Sequence, residues 1–397
     1  MKILSDNPSF RGQQDYITEL ESIRGIAILL VFLLHAHGMA FPGWTGEATI
    51  LQSFILAGNT GVTLFFVLSG FLLSIPFLKA NGNRCPPSTR KYFLSRTLRI
   101  LPLYYFMIVV ALLVTGKISE TIPASAFIFI GFDVFPFSVV WWTLATEVQF
   151  YVLLPVIMLL LRSPLGRLTL MLSGVIWAYF YIELTLGSPG HPGTAYHWAK
   201  TKSLFARLPA FAIGIAGAYI YLQCKKPDRN RYRIPSTIIL WSTLIVLGLV
   251  LQQVVEMGSA VAERRWHMRH TYESLCWIGI ILCLCLGEPY GKRFFINSIN
   301  RTLGKLSYSI YLVHVPILFY IFYPMKMHIE EGYFFDNHIA YLALGLGAAG
   351  TLLTSALSYK FIEQPFLNLK KTLMKPATQH TAITSNIAHK KTGDIAL

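Results

Sequence analysis

Residues 21–38 read ESIRGIAILLVFLLHAHG, an apolar run that carries Arg24 near one end and His35 deep inside. Crossing ~30 Å of hydrocarbon as a helix takes about 20 mostly apolar residues. Runs of that kind recur along nearly the whole chain, over residues 23–41, 59–79, 97–115, 142–161, 168–187, 205–223, 236–254, 272–287, 303–323 and 340–362. The eighth is the shortest. The expected fold is therefore all-α, a polytopic integral membrane protein with about ten transmembrane helices.

Composition agrees with this pattern. The 397 residues are 54% hydrophobic and only 13% charged, with a mean hydropathy of +0.52, well outside the range of soluble domains. The first run is expected to be retained rather than cleaved as a signal peptide, because Asp15, Glu19 and Glu21 precede it and no A-x-A site follows. The membrane domain is expected over residues 1–375, and residues 376–397, which lack apolar periodicity, as a disordered tail.

The net charge of +15 sorts by topology. With the N-terminus inside, the cytoplasmic segments hold 24 Lys and Arg and the opposite loops 7, while Arg24, Arg207 and Lys305 lie just inside spans. This asymmetry fits the positive-inside rule for an even number of spans with both termini cytoplasmic. Nucleic acid is not expected as a partner, since no soluble basic domain with interleaved stacking residues is present. Cys85, Cys224, Cys276, Cys283 and Cys285 have no zinc-ligand spacing and form no evident disulfide framework, so neither a metal nor a disulfide is expected.

Ionisable groups in hydrocarbon are costly unless paired or hydrated, so each marks a candidate site. Arg24 and His35 are eleven residues apart, which places them on one helix face ~16 Å apart. Structural alternatives are a snorkelling Arg24 and a His35 that packs between helices. In WWTLATEVQFYVLLP (141–155), Glu147 sits ~8 Å below the outer boundary, at a depth similar to His35. The two are expected to pair, the carboxylate orienting the ring. In LGKLSYSIYLVHVPI (303–317), His314 is again near mid-depth, unless it only satisfies a carbonyl freed by Pro316. Ser69 and Gly70 in the second span offer close backbone approach, ordinarily a packing device.

A second constellation lies at the cytoplasmic face. Arg90, Lys91, Arg96 and Arg99 crowd the entry of the third span, on the side where Arg24 opens the first. Such clusters serve topology or bind anionic lipid, but forked donors at an i, i+3 spacing also suit phosphates. Glu363, near the inner end of the tenth span, is an expected ion-pair partner for one of these arginines.

Six segments together resemble one family. LESIRGIAILLVFLLHAHG with its Arg-x10-His spacing, GVTLFFVLSGFLL, YFLSRTLRILPLYY with its R-x-x-R, WWTLATEVQFYVLLP, LGKLSYSIYLVHVPI and YKFIEQPF are similar, in order, to the acyltransferase family 3 of integral-membrane acyltransferases, over about residues 16–368. The chain departs from the usual pattern at Ser22, where a glycine is common, and at Ala145-Thr146-Glu147, where S-x-E is common. The resemblance implies that His35 is the catalytic residue, that Arg24, Arg96 and Arg99 serve acyl-CoA, and that the acceptor is a hydroxyl-bearing carbohydrate or similar molecule. Many members that acetylate lipopolysaccharide O-antigen carry an additional SGNH-type domain; this chain is expected to be a stand-alone member.

The resulting expectation is transfer of acetyl from acetyl-CoA to a hydroxyl of a cell-surface glycan or glycoconjugate, in a bacterial inner membrane. His35 acts as general base, Glu147 orients it, Arg24, Arg96 and Arg99 hold the CoA phosphates, and His314 and Ser69 contact substrate. Attack by His35 itself, through an acyl-imidazole, is the mechanistic alternative. Rival classes are a proton-coupled transporter or flippase of a lipid-linked glycan, against which the absence of an inverted repeat counts, and a receptor or scaffold, for which His35→Ala would be silent.

Overall fold

The computed structural model describes residues 17–41, 48–80, 87–119, 134–186, 202–224, 231–257, 266–327 and 337–373. Cys85 and the expected tail at 376–397 lie outside these residues. The long helices are α1 (Thr18–Ala40), α3 (Thr60–Ala80), α4 (Thr89–Thr115), α5 (Trp141–Leu160), α6 (Pro164–Leu186), α7 (Leu204–Gln223), α8 (Arg233–Met257), α9 (Trp266–Leu286), α10 (Ser298–Met327) and α11 (Asn337–Ser358). A short α2 (Ile50–Leu56) links α1 to α3, and α11 continues through a π-turn at Tyr359–Glu363 into α12 (Gln364–Leu373).

Among the described residues nine helices are long and apolar enough to cross a membrane. The exception among the long helices is α9, whose first turns carry Arg269, His270 and Glu273. It starts six residues before the expected span at 272, so Arg269 lies in a helix and not in a loop. The helix is nonetheless interior, packed against α3, α7 and α8. Lipid can satisfy no polar backbone group, so each segment closes its own hydrogen bonds as a helix. What remains to specify the fold is packing of side chains and close backbone contacts.

Burial separates centre from rim. The apolar windows of α3 and of the α10 segment are 72% and 67% buried, that of α6 only 11%, so α3 and α10 form the core and α6 faces outward. Two glycine pairs allow the central contacts. A Cβ at Gly25 would collide with the Asn300 carbonyl and one at Gly304 with the Glu21 carbonyl, which brings α1 and α10 backbone to backbone. Gly70 and Gly214 do the same for α3 and α7. α1 and α10 run in the same direction, Gly25 beside Asn300 at one end and His35 beside His314 further along. Phe150 stacks on Phe211 with ring centroids 4.0 Å apart, which fixes α5, the helix of Glu147, against α7.

Candidate active site

A cavity of about 90 Å³ opens between α1, α3, α4, α5 and α10, room for several waters or for part of an elongated ligand. Arg24 lines it from α1, and Arg96 and Arg99 from α4. Ser69 on α3, Glu147 and Tyr151 on α5, and Tyr308 and Tyr311 on α10 line the remainder. The i, i+3 spacing of Arg96 and Arg99 and the i, i+4 spacing of Glu147 and Tyr151 turn each pair toward the same space.

Glu147 is the one acid among these lining residues, and two hydroxyls occupy it. Ser69 Oγ donates to Oε1 at 2.9 Å and Tyr151 Oη to Oε2 at 2.9 Å. The arginines are left without such partners: none of the three forms an ion pair or hydrogen bond with a described residue. Arg96 lies over the Tyr92 ring, 6.0 Å from its centroid, and its Nε is buried without a hydrogen-bond partner. The three arginines are half-buried; cations drawn out of water without bonded counter-ions are costly, and a bound anion is the chemistry that removes the cost.

Tyr311 also lines the cavity, its Oη 2.6 Å from Thr143 Oγ1. His314 lies behind it, fully buried, with ring centroids 6.0 Å apart. His314 Nδ1 is 2.9 Å from both the Ile310 and Tyr311 carbonyls, so that nitrogen carries the proton and Nε2 is an acceptor. His35 Nδ1 is 3.2 Å from this Nε2 and 2.9 Å from the Val31 carbonyl. Its proton is shared between the two, which leaves His35 Nε2 as the lone-pair nitrogen. Pro316 frees the carbonyl of Leu312, and among the described residues His314 bonds neither that group nor any other outside Ile310, Tyr311 and His35.

Two expected pairings do not form. Glu147 bonds Ser69 and Tyr151, and His35 bonds His314, because α1 packs on α10 and α3 while α5 packs on α3 and α7. Equal depth in the membrane did not make the two groups neighbours. Glu363 likewise makes no ion pair with an arginine of the cluster; its Oε1 accepts a hydrogen bond from Ser309 Oγ, which in turn accepts from Ser358 Oγ at 2.8 Å. Arg24, Arg96, Arg99, Glu147 and Ser69 do converge on one cavity, and His35 and His314 form the adjoining pair.

A second buried polar cluster escaped the sequence reading. On α9, Arg269 Nε bonds Glu273, and Arg269 Nη2 donates to Asn59 Oδ1 at 2.7 Å. Thr63 Oγ1 donates to Glu273 Oε2 at 2.9 Å and lies 3.0 Å from His270 Nδ1. Arg207 sits over the Trp142 ring, 5.4 Å from its centroid. The signal was available in the i, i+4 spacing of Arg269 and Glu273, but their charge lowers the hydropathy by which spans are recognised.

Comparison with known proteins agrees with the six shared segments. OatA of Listeria monocytogenes, named as a peptidoglycan O-acetyltransferase, is 22% identical over 384 residues, covering 89% of this chain and 56% of its own length. YrhL of Bacillus subtilis is 27% identical over 378 residues, 88% of this chain and 55% of its own. A Staphylococcus aureus protein is 23% identical over 379 residues, 88% and 57% respectively. The chain thus spans about half the length of these relatives, and no solved structure matches it. An acyltransferase-domain family model matches residues 17–360, and the chain belongs to that family, acyltransferase family 3.

Proposed function

We propose that this chain is a membrane O-acyltransferase that moves an acetyl group from acetyl-CoA to a hydroxyl of a cell-surface glycan. The observation that carries the reading is the set of three cavity-lining arginines on two helices, none bonded to a carboxylate of a described residue. The phosphates of CoA supply the missing anions, with forked donors matched to phosphate oxygens. The arginine end faces the cytoplasm, where acyl-CoA is available and where the positive-inside bias places it. Named relatives favour a glycan acceptor, one of them a peptidoglycan O-acetyltransferase.

The arm that carries the thioester runs from the arginines past Ser69 and Glu147 toward Tyr311. The ~16 Å between Arg24 and His35 along α1 is the span it must cover. Movement of the Tyr311 side chain joins the cavity to the histidine pair. His35 Nε2 takes the proton of the acceptor hydroxyl, the oxygen attacks the thioester carbon, the carbon–sulfur bond breaks, and the proton passes to the departing thiolate. His314 is a positioning residue that holds His35 in the tautomer this requires. The same free Nε2 also suits direct attack and an acyl-imidazole.

The test is label transfer by the detergent-purified protein from radiolabelled acetyl-CoA to cell-wall glycan, wild type against His35→Ala. Label on glycan with wild type alone supports the reading. Equal label with both variants removes His35 from the chemistry, and failure of folded wild type to bind CoA removes the donor and leaves proton-coupled transport as the reading to test.

A further inference from the structure

α12 exposes an apolar stripe beside a polar one. Phe366, Leu369 and Leu373 are 38%, 44% and 53% exposed, while Glu363, Leu367 and Lys370, at i, i+4 and i+7, form the inward face, buried or half-buried. The π-turn at Tyr359–Glu363 adds a residue to the helical repeat, and so rotates everything after it relative to α11. Outward apolar side chains suit a helix lying in the membrane interface. An inward lysine there needs an anion.

The surroundings of Lys370 supply cations instead. α12 packs on α4, the helix of Arg96 and Arg99, and Lys370 lies within electrostatic range of both. Lys370 makes no hydrogen bond or ion pair with any described residue, and Arg96 Nε is buried and unbonded. Snorkelling would turn a lone interfacial lysine fully outward to lipid phosphates; this one is half-buried, on the side of α12 that carries Glu363 and Leu367. Like charges drawn together in a medium of reduced dielectric repel more strongly than in water, so the arrangement calls for a ligand with more than one anionic group.

We infer that Lys370 is a fourth phosphate-binding residue, at the mouth of the cavity, and that it takes the phosphate farthest from the acyl group, in CoA the 3′-phosphate of the ribose. The inference rests on the acyl-CoA reading of the cavity. The order follows from placement: Arg24, Arg96 and Arg99 line the cavity itself, whereas Lys370 is not among its lining residues and stands on α12, which packs on α4 from beyond the π-turn. The interface holds α12 by its apolar face and thereby fixes where Lys370 stands. An anionic lipid headgroup has the same chemistry, and the experiment separates the two sources.

The full chain, in detergent and in nanodiscs of zwitterionic lipid, is titrated with CoA and with 3′-dephospho-CoA. Wild type is expected to favour CoA by about tenfold, the scale of one charge-assisted contact. Lys370→Ala and Lys370→Gln are expected to bind CoA only as well as dephospho-CoA, with affinity for dephospho-CoA unchanged, and Lys370→Arg to restore the preference. A wild-type preference retained in Lys370→Ala overturns the inference while leaving the donor reading intact. So does a Lys370→Ala defect that appears only as weaker retention of phosphatidylglycerol, which assigns the lysine to lipid. Absence of CoA binding by folded wild type overturns the donor reading and this inference with it.

Discussion

Two clusters of charged side chains among the described residues are built differently. On α9, Arg269 and Glu273 bond each other, and Asn59 and Thr63 bond the pair. Between α1 and α4, Arg24, Arg96 and Arg99 line open space, and the nearby carboxylate of Glu147 is taken up by two hydroxyls. A buried charge whose partners are part of the chain is a structural device; a group of half-buried cations with no bonded partner among the described residues marks where a charged ligand belongs. The same residue type thus means different things in the two places, and the difference lies in what the arginine touches.

The strongest way to sharpen this contrast is at the third polar group, the histidine pair. His35→Ala is expected to lower glycan acetylation by at least about a hundredfold, the scale of a lost general base, with CoA affinity and melting temperature unchanged; kinetics and calorimetry on one preparation separate the three. Next in size is the α9 cluster. Glu273→Ala leaves Arg269 uncompensated and is expected to cost about 3–5 kcal/mol of stability, read as a large fall in melting temperature in detergent. An unchanged melting temperature would place the cluster outside the structural class.

The arginine cavity is expected to give the opposite pattern. Arg96→Ala with Arg99→Ala removes cations that have no bonded partner among the described residues, so the melting temperature of the ligand-free protein is expected to hold or rise. CoA affinity falls by about tenfold to a hundredfold, as for loss of charge-assisted hydrogen bonds. The smallest effect is expected at Ser69→Ala, which removes one of two donors to Glu147 and is expected to reduce kcat/KM by about threefold to tenfold. No change there would make Ser69 a packing residue of α3 only.

Much of the fold was legible because hydrocarbon allows so few backbone solutions. Length and hydropathy locate nearly every long helix, and the eleven-residue spacing from Arg24 to His35 places both on one face of α1. The α9 boundary was missed for the same physical reason that makes it interesting: Arg269 and Glu273 neutralise each other in the fold, but count as two charges in a hydropathy window. Pairing between helices was the least legible part. Depth is one coordinate of three, and it put Glu147 and His35 level without revealing that glycines 25 and 304 press α1 onto α10. The π-turn before α12, which turns Lys370 inward, leaves no mark in periodicity that a short helix can display.

The most direct test of the contrast is calorimetric titration of acetyl-CoA into wild type, the Arg96→Ala/Arg99→Ala double variant and Glu273→Gln, each with its ligand-free melting temperature. The expected result is crossed: the double variant is stable and binds weakly, whereas Glu273→Gln melts early and, below its transition, binds as wild type does. Unchanged affinity in the double variant, or lost affinity in Glu273→Gln at a temperature where it is folded, would contradict the division between a ligand site and a structural cluster.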